Sequence, residues 1–195
     1  MKTLFCAAAA ATILIAPAAA SADEIRLGAV AHDIDGLDAG VSGKESGSAI
    51  NVEYMWDRFD GPNWLLSPHP YIGGNIHLEG KTSFGGAGLN WRANFTDSFY
   101  VDFGFGLVVH DGEKEIPDAE PGLSPEENAR RIRENSENIE FGSRILFREQ
   151  LALGVRMTPT WSGEVFYEHL SHGNILSDGA NEGLDNVGVR VARRF

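Results

Sequence analysis

The feature that most limits this chain is an alternation of apolar and polar residues, repeated in eight segments and never at helical period. Residues 25–31 set Ile25, Leu27, Ala29 and Ala31 on one side and Arg26 on the other. Residues 49–57 set Ile50, Val52, Tyr54 and Trp56 against Asn51, Glu53 and Asp57. In 71–79, Ile72, Ile76 and Leu78 oppose Asn75, His77 and Glu79, and in 84–93, Ala87, Leu89, Trp91 and Ala93 oppose Asn90 and Arg92. Residues 98–109 alternate Phe99, Val101, Phe103, Phe105, Leu107 and Val109 with Asp102 and glycines. A long run, 139–158, sets Ile139, Phe141, Ile145, Phe147, Leu151, Leu153, Val155 and Met157 against Glu140, Arg144, Arg148, Gln150 and Arg156. Residues 162–171 set Val165 and Tyr167 against Glu164 and Glu168, and a last segment sets Val187, Val189 and Val191 against Arg190 and Arg194. Successive strand residues point to opposite faces, so each segment reads as a two-faced β-strand.

Eight such strands close either as a soluble lipocalin-like barrel or as a membrane barrel, and alternation alone does not say which face is outside. Three observations choose the membrane. The connections at 58–63, 94–97 and 159–161 are tight, whereas 32–46 and 110–137 are long and 172–184 is substantial. Short turns on one rim and longer loops on the other are the transmembrane pattern. All four tryptophans (Trp56, Trp64, Trp91 and Trp161) fall at the short-turn rim, with Phe59, Phe95 and the terminal Phe195. An aromatic belt at a membrane interface accounts for that clustering. The polar face carries charges of both signs: Arg144, Arg148, Arg156 and Arg190 are expected to pair with Glu53, Glu79, Asp102 and Glu168 in a narrow lumen, whereas a soluble ligand-binding barrel needs an apolar interior. The expected fold is all-β, an eight-stranded antiparallel transmembrane barrel.

The chain's start reads as an export signal. Lys2 precedes an apolar run from Leu4 to Ile15, and Ala20-Ser21-Ala22 makes a small-residue cleavage site, so 1–22 is expected to be a signal peptide and 23–195 the barrel domain. The single cysteine, Cys6, lies in the signal, so no disulfide framework is expected. A net charge of −12 argues against a nucleic-acid partner, and no apolar run after the signal is long enough for a membrane helix. In the loop 110–137, Ser124-Pro125-Glu126-Glu127 is a capping box with proline at the first helical position, predicting a short helix to about Glu134. Arg130, Arg131 and Arg133 on it are read as a solvated charged face, with contact to lipid phosphates as the alternative. The acids around it lack calcium-loop spacing, so neither metal nor cofactor is expected.

Function is concentrated in Phe166–Asn186, FYEHLSHGNILSDGANEGLDN. His169 and Ser171 share a face at the end of a strand, and Asp185 returns at the start of the next. A serine nucleophile needs a base, and the base needs a group that fixes its tautomer. The same residues also occur as ordinary hairpin furniture. By parity the three point outward, to the lipid at the external rim, where polar side chains are costly and suggest function.

HLSHGN followed by NEGLDNVGVRVARRF at the chain end resembles the lipid A 3-O-deacylase family, the PagL-type outer-membrane esterases. The resemblance implies that His169 is the base, Ser171 the nucleophile and Asp185 the acid, a position where several relatives carry glutamate. It implies an oxyanion role for Asn181, and backbone N–H groups near His172 to Asn174, those of Gly173 and Asn174 among them, are expected to support it. Relatives have asparagine directly after the serine, where this chain has His172. The implied substrate is the 3-O-linked hydroxyacyl chain of lipid A in the lipopolysaccharide of the outer leaflet, among membrane lipids of the bacterial outer membrane. The rival readings are a non-catalytic small outer-membrane barrel (adhesion or membrane integrity) and a soluble periplasmic lipid-binding barrel.

Overall fold

The structure, a computed structural model, describes residues 23–35, 43–59 and 61–195. The expected signal segment and the middle of the first long loop lie outside the described residues. Eight antiparallel strands, β1 (Glu24–His32), β2 (Gly47–Met55), β3 (His69–His77), β4 (Phe84–Asn94), β5 (Phe99–His110), β6 (Ile145–Arg156), β7 (Trp161–Ser171) and β8 (Leu184–Arg194), pair in chain order. β8 closes on β1, from Glu24 opposite Arg194 to Ala31 opposite Val187. Strands of nine to twelve residues match what a tilted strand needs to cross a bilayer. No helix among the described residues is long and apolar enough to cross one.

The faces divide as the alternation requires. Leu27, Ile72, Phe103, Leu151, Val165 and Val189 are exposed, forming an apolar belt around the outside. Soluble monomers rarely leave so continuous an apolar surface in water, and a membrane covers it. Inside, four arginines meet five carboxylates. Arg26 donates to Glu24 (2.8 Å), Glu53 (2.9 Å) and Asp102 (2.6 Å). Arg92 forks onto Asp102 (2.8 and 2.7 Å), Arg148 reaches Glu168 and Glu53, and Arg190 reaches Glu164. Arg148 and Arg190 pair as expected, and Arg26, Arg92, Glu24 and Glu164 complete the network. Arg144, Arg156 and Glu79 do not join this network. Arg144 donates to the carbonyls of His110 and Gly112 above β5, and Arg156 to Asp97 O at the short-turn rim. Glu79 accepts from Ser48 N in the β3–β4 turn. All three stand at or beyond a strand end, where parity no longer dictates direction.

Two expectations need correction. The run 139–158 is not one strand. β6 starts at Ile145, and residues 139–144 turn inward, burying Ile139 and Phe141 completely with Phe84, Val108, Leu146, Leu170 and Leu184. Ile139 N donates to Glu45 Oε1 (3.1 Å) and Phe141 N to Glu113 O (3.1 Å), so this segment caps the barrel mouth instead of extending its wall. Alternation is common to both arrangements, because a cap burying every second side chain has the same period. The connection after β2 is also longer than 58–63: it runs from Trp56 to Pro68 and contains a 3₁₀ turn, Asn63–Leu65. Trp91 Nε1 donates to Leu65 O (2.8 Å), which ties that turn to the aromatic rim.

The predicted helix forms as α1 (Pro125–Glu137), a turn longer than expected, with Ser124 accepting from Glu127 N (3.2 Å) at its start. Arg130 and Arg131 are engaged by Glu127, Glu134 and Glu120 on the same loop.

Candidate active site

β7 and β8 are hydrogen-bonded neighbours, and their register sets His169 directly opposite Asp185. Both side chains project from the outer face, and the imidazole Nδ1 lies 2.6 Å from Asp185 Oδ1. A carboxylate only accepts, so Nδ1 carries the hydrogen and Nε2 of the neutral ring keeps its lone pair. Tyr167, two residues before His169 on the same face, donates its hydroxyl to the same Oδ1 (2.8 Å). Asp185 is fully buried despite its outward parity, whereas the His169 side chain keeps 17% of its surface. The acid is thus walled off by the groups it orients, and the ring stays reachable.

The backbone around Asp185 is fixed as well. Its carbonyl accepts from Ile34 N (2.9 Å), and Asn186 accepts from Asp33 N (3.1 Å), so the loop after β1 is laced onto the start of β8. Burial raises the Asp33 carboxyl above the usual range, against the pull of amide hydrogen bonds from Glu45 and Gly43. Gly183 makes the room for the imidazole: a Cβ there would stand 2.8 Å from His169 Cε1. Neither Tyr167 nor Gly183 was marked by the sequence as part of a site. Parity with His169 was the only available signal for the tyrosine.

Ser171 is the last residue of β7, half-buried, on the face of Tyr167 and His169. Directly after it the chain turns: Ile175 N donates to His172 O (3.1 Å), with φ of 62° at Gly173 and 55° at Asn174. Two consecutive left-handed residues make a type I′ turn, and Gly and Asn are the residues that tolerate it. The turn ends the strand at the serine and keeps it at the rim.

The loop beyond is clasped to the cap over the barrel mouth. His172 is completely buried on the inner side, and its Nε2 donates to Ala180 O (2.8 Å). Its backbone N–H donates to Asn181 Oδ1 (3.0 Å), which removes that amide from the set available to an oxyanion and leaves the Asn181 amide nitrogen as the donor on that side chain. Glu182 is tied down by Lys44 Nζ (2.5 Å) and by Glu140 N (2.7 Å). Among the two acids of the returning segment, only Asp185 meets the histidine. At Gly142 a Cβ would fall 1.8 Å from Ala180 O, so this contact requires glycine, which also supplies the positive φ of 68°.

Among the described residues no group of three or more His, Cys, Asp or Glu is arranged to hold a metal ion. The arrangement is a histidine hydrogen-bonded to a buried acid, with Ser171 two residues further along the same face of β7, at the membrane-facing edge of a barrel. Residues 49–194 match the model of a protein family described as lipid A 3-O-deacylase (PagL). No curated protein is similar to the chain at a significant level. Among solved structures, the outer membrane enzyme PagL superposes with a TM-score of 0.58 at 13% identity, covering 88% of this chain and 99% of that one. Neisserial surface protein A superposes with a TM-score of 0.52 at 12% identity, covering 90% and 98%.

Proposed function

Because the chain belongs to the lipid A 3-O-deacylase (PagL) family and folds as an outer-membrane β-barrel, we propose that it is a serine esterase that removes the 3-O-linked acyl chain of lipid A. The observation that carries this reading is the 2.6 Å contact of His169 with buried Asp185 on the membrane-facing side, two residues from Ser171 at the rim.

In the proposed mechanism the acyl ester approaches from the outer leaflet. Ser171 Oγ attacks the carbonyl carbon while His169 Nε2 takes the serine proton, and Asp185 stabilises the imidazolium without itself being protonated. The negative oxygen of the tetrahedral intermediate is met by the Asn181 amide nitrogen and by backbone N–H groups of the Gly173-Asn174 turn, in place of His172. Collapse breaks the ester C–O bond, and the His169 imidazolium protonates the departing sugar oxygen, which leaves as a hydroxyl. Water, deprotonated by His169, then releases the fatty acid from Ser171. Tyr167 helps hold the acid by donating to Asp185 Oδ1.

The test is mass spectrometry of lipid A from cells expressing wild-type protein or Ser171→Ala. Wild type is expected to lower the mass by one hydroxyacyl group, and Ser171→Ala to leave it unchanged while retaining the heat-modifiable gel mobility of a folded barrel. A folded Ser171→Ala that still deacylates would remove the serine from the mechanism.

A further inference from the structure

β6 flanks β7 on the side away from β8, and its register sets Phe147 opposite Ser171 and Glu149 opposite His169. Glu149 shares the outward parity of Phe147 and Leu151 and is exposed, while its neighbours Arg148 and Gln150 are buried in the lumen. Among the described residues no hydrogen bond or ion pair reaches its carboxyl group. Apart from His169 directly opposite, the outer face around it is apolar: Phe105 and Phe147 stack with ring centroids 5.7 Å apart, and Leu151 and Val165 are exposed. A carboxyl group on a membrane-facing surface costs free energy unless it is paired, and no hydrogen bond from the described residues offsets that cost. Its natural partner is a donor on the lipid itself.

Depth says which donor. Ser171 ends β7 at the rim, and Glu149 stands two residues further from the rim, on the order of 6 to 7 Å along the strand. That level lies below the scissile ester, among the first carbons of the acyl chain, whereas phosphates and their counter-cations lie above it with the sugars. A residue and the diagonal neighbour two positions along the adjacent strand are roughly 7 to 8 Å apart at Cα, within reach of a long side chain.

We propose that Glu149 accepts a hydrogen bond from a hydroxyl on the acyl chain being removed, and so selects 3-hydroxyacyl esters over unsubstituted ones. This rests on the esterase reading and deepens it, since neither the family match nor the triad geometry explains how a hydroxylated chain is told from a plain one. A site built to meet a hydroxyl discriminates well, because an analogue lacking it leaves the acceptor desolvated and unpaired. Hydrogen bonds to a charged acceptor correspond to roughly ten- to hundredfold in rate or affinity.

The experiment compares p-nitrophenyl esters of 3-hydroxydecanoate and decanoate, using full-length protein in detergent. The readout is the ratio of the two kcat/KM values, which partial loss of folded protein does not move. Wild type is expected to favour the hydroxyacyl ester at least about tenfold. Glu149→Leu is expected to bring the ratio close to one, and Glu149→Gln, which keeps a carbonyl acceptor, to lie between. A wild-type ratio in Glu149→Leu overturns the assignment of Glu149 alone, whatever happens to the absolute rates. Wild-type protein that hydrolyses neither ester overturns the esterase reading and this assignment with it. Hydrolysis that persists in Ser171→Ala removes the nucleophile but still reads out Glu149 through the ratio.

Discussion

At the level of single residues, the acid of the proposed triad is chosen by what else each candidate touches. Glu182 has the longer reach, yet both of its oxygens are engaged, one by Lys44 and one by the Glu140 amide. Asp185 is held by strand register, buried, and shared between His169 and Tyr167. Asp185→Asn is therefore expected to cut turnover by orders of magnitude, because it no longer fixes the Nδ1–H tautomer. Glu182→Gln, which keeps one acceptor, is expected to cost little. Steady-state hydrolysis with both variants folded checks the ranking, and the reverse order would hand the role to Glu182. Gly183→Ala is a finer test: its methyl group meets His169 Cε1 and should turn the ring, lowering kcat with little change in KM. That Asp185 is the acid that meets His169 was legible in the sequence, since Asp185 shares the parity of Val187, Val189 and Val191. The environment of His172 was not. Nothing in the letters says that a histidine after the serine folds inward and closes a loop against Ala180, because that depends on a cap contributed by residues some thirty positions earlier.

At the level of elements, periodicity located every strand, and the misreadings came where strands stop. The stretch 139–144 alternates as a strand does, but its alternate residues fill the mouth of the barrel, and only the closed tertiary structure separates the two uses. The capping box, by contrast, is a local signal, and α1 begins where Ser124 predicts. The same helix gives a pH expectation. Hydrogen bonds from Arg130 and then Arg131 hold the Glu127 carboxyl at about 2, below the usual carboxylate range. A depressed carboxylate contributes its interaction above its ordinary titration range and loses it as pH falls from about 4.5 toward 2. Carbon NMR of Glu127 should place its midpoint near 2, and Arg130→Ala should return it toward the ordinary range. Loop placement is tested separately. Protease added to intact cells is expected to cut within 110–137, where α1 is exposed, and to spare the turns at 95–98 and 157–160. Cleavage at those turns instead would invert the barrel in the membrane and take the site away from the outer leaflet.

At the level of the whole molecule, the barrel separates two tasks by face. Outward, β6 to β8 present the site to lipid. Inward, the lumen holds charges of both signs, and Glu53 is the residue they converge on: Arg26 (2.9 Å), Arg148 (3.0 Å) and Arg190 (3.5 Å) all reach it. It is the shared partner of those three guanidinium groups, each of which would otherwise stand buried without full compensation. Taking one partner out of such a network is far more damaging than replacing the whole network with apolar groups, since the remaining charges have lost their solvent and gain nothing in return. Glu53→Leu is therefore expected to destabilise the folded barrel by roughly 3 to 5 kcal/mol, read as a lower temperature for the heat-induced gel-mobility shift in detergent. Because Glu53 lies on β2 and faces the lumen, while His169, Ser171 and Asp185 face outward on β7 and β8, hydrolysis measured well below that temperature should stay close to wild type. A variant that kept the unfolding temperature but lost hydrolysis would mean that the lumen charges act on the outer face through the wall, and would end the division of labour between the two faces.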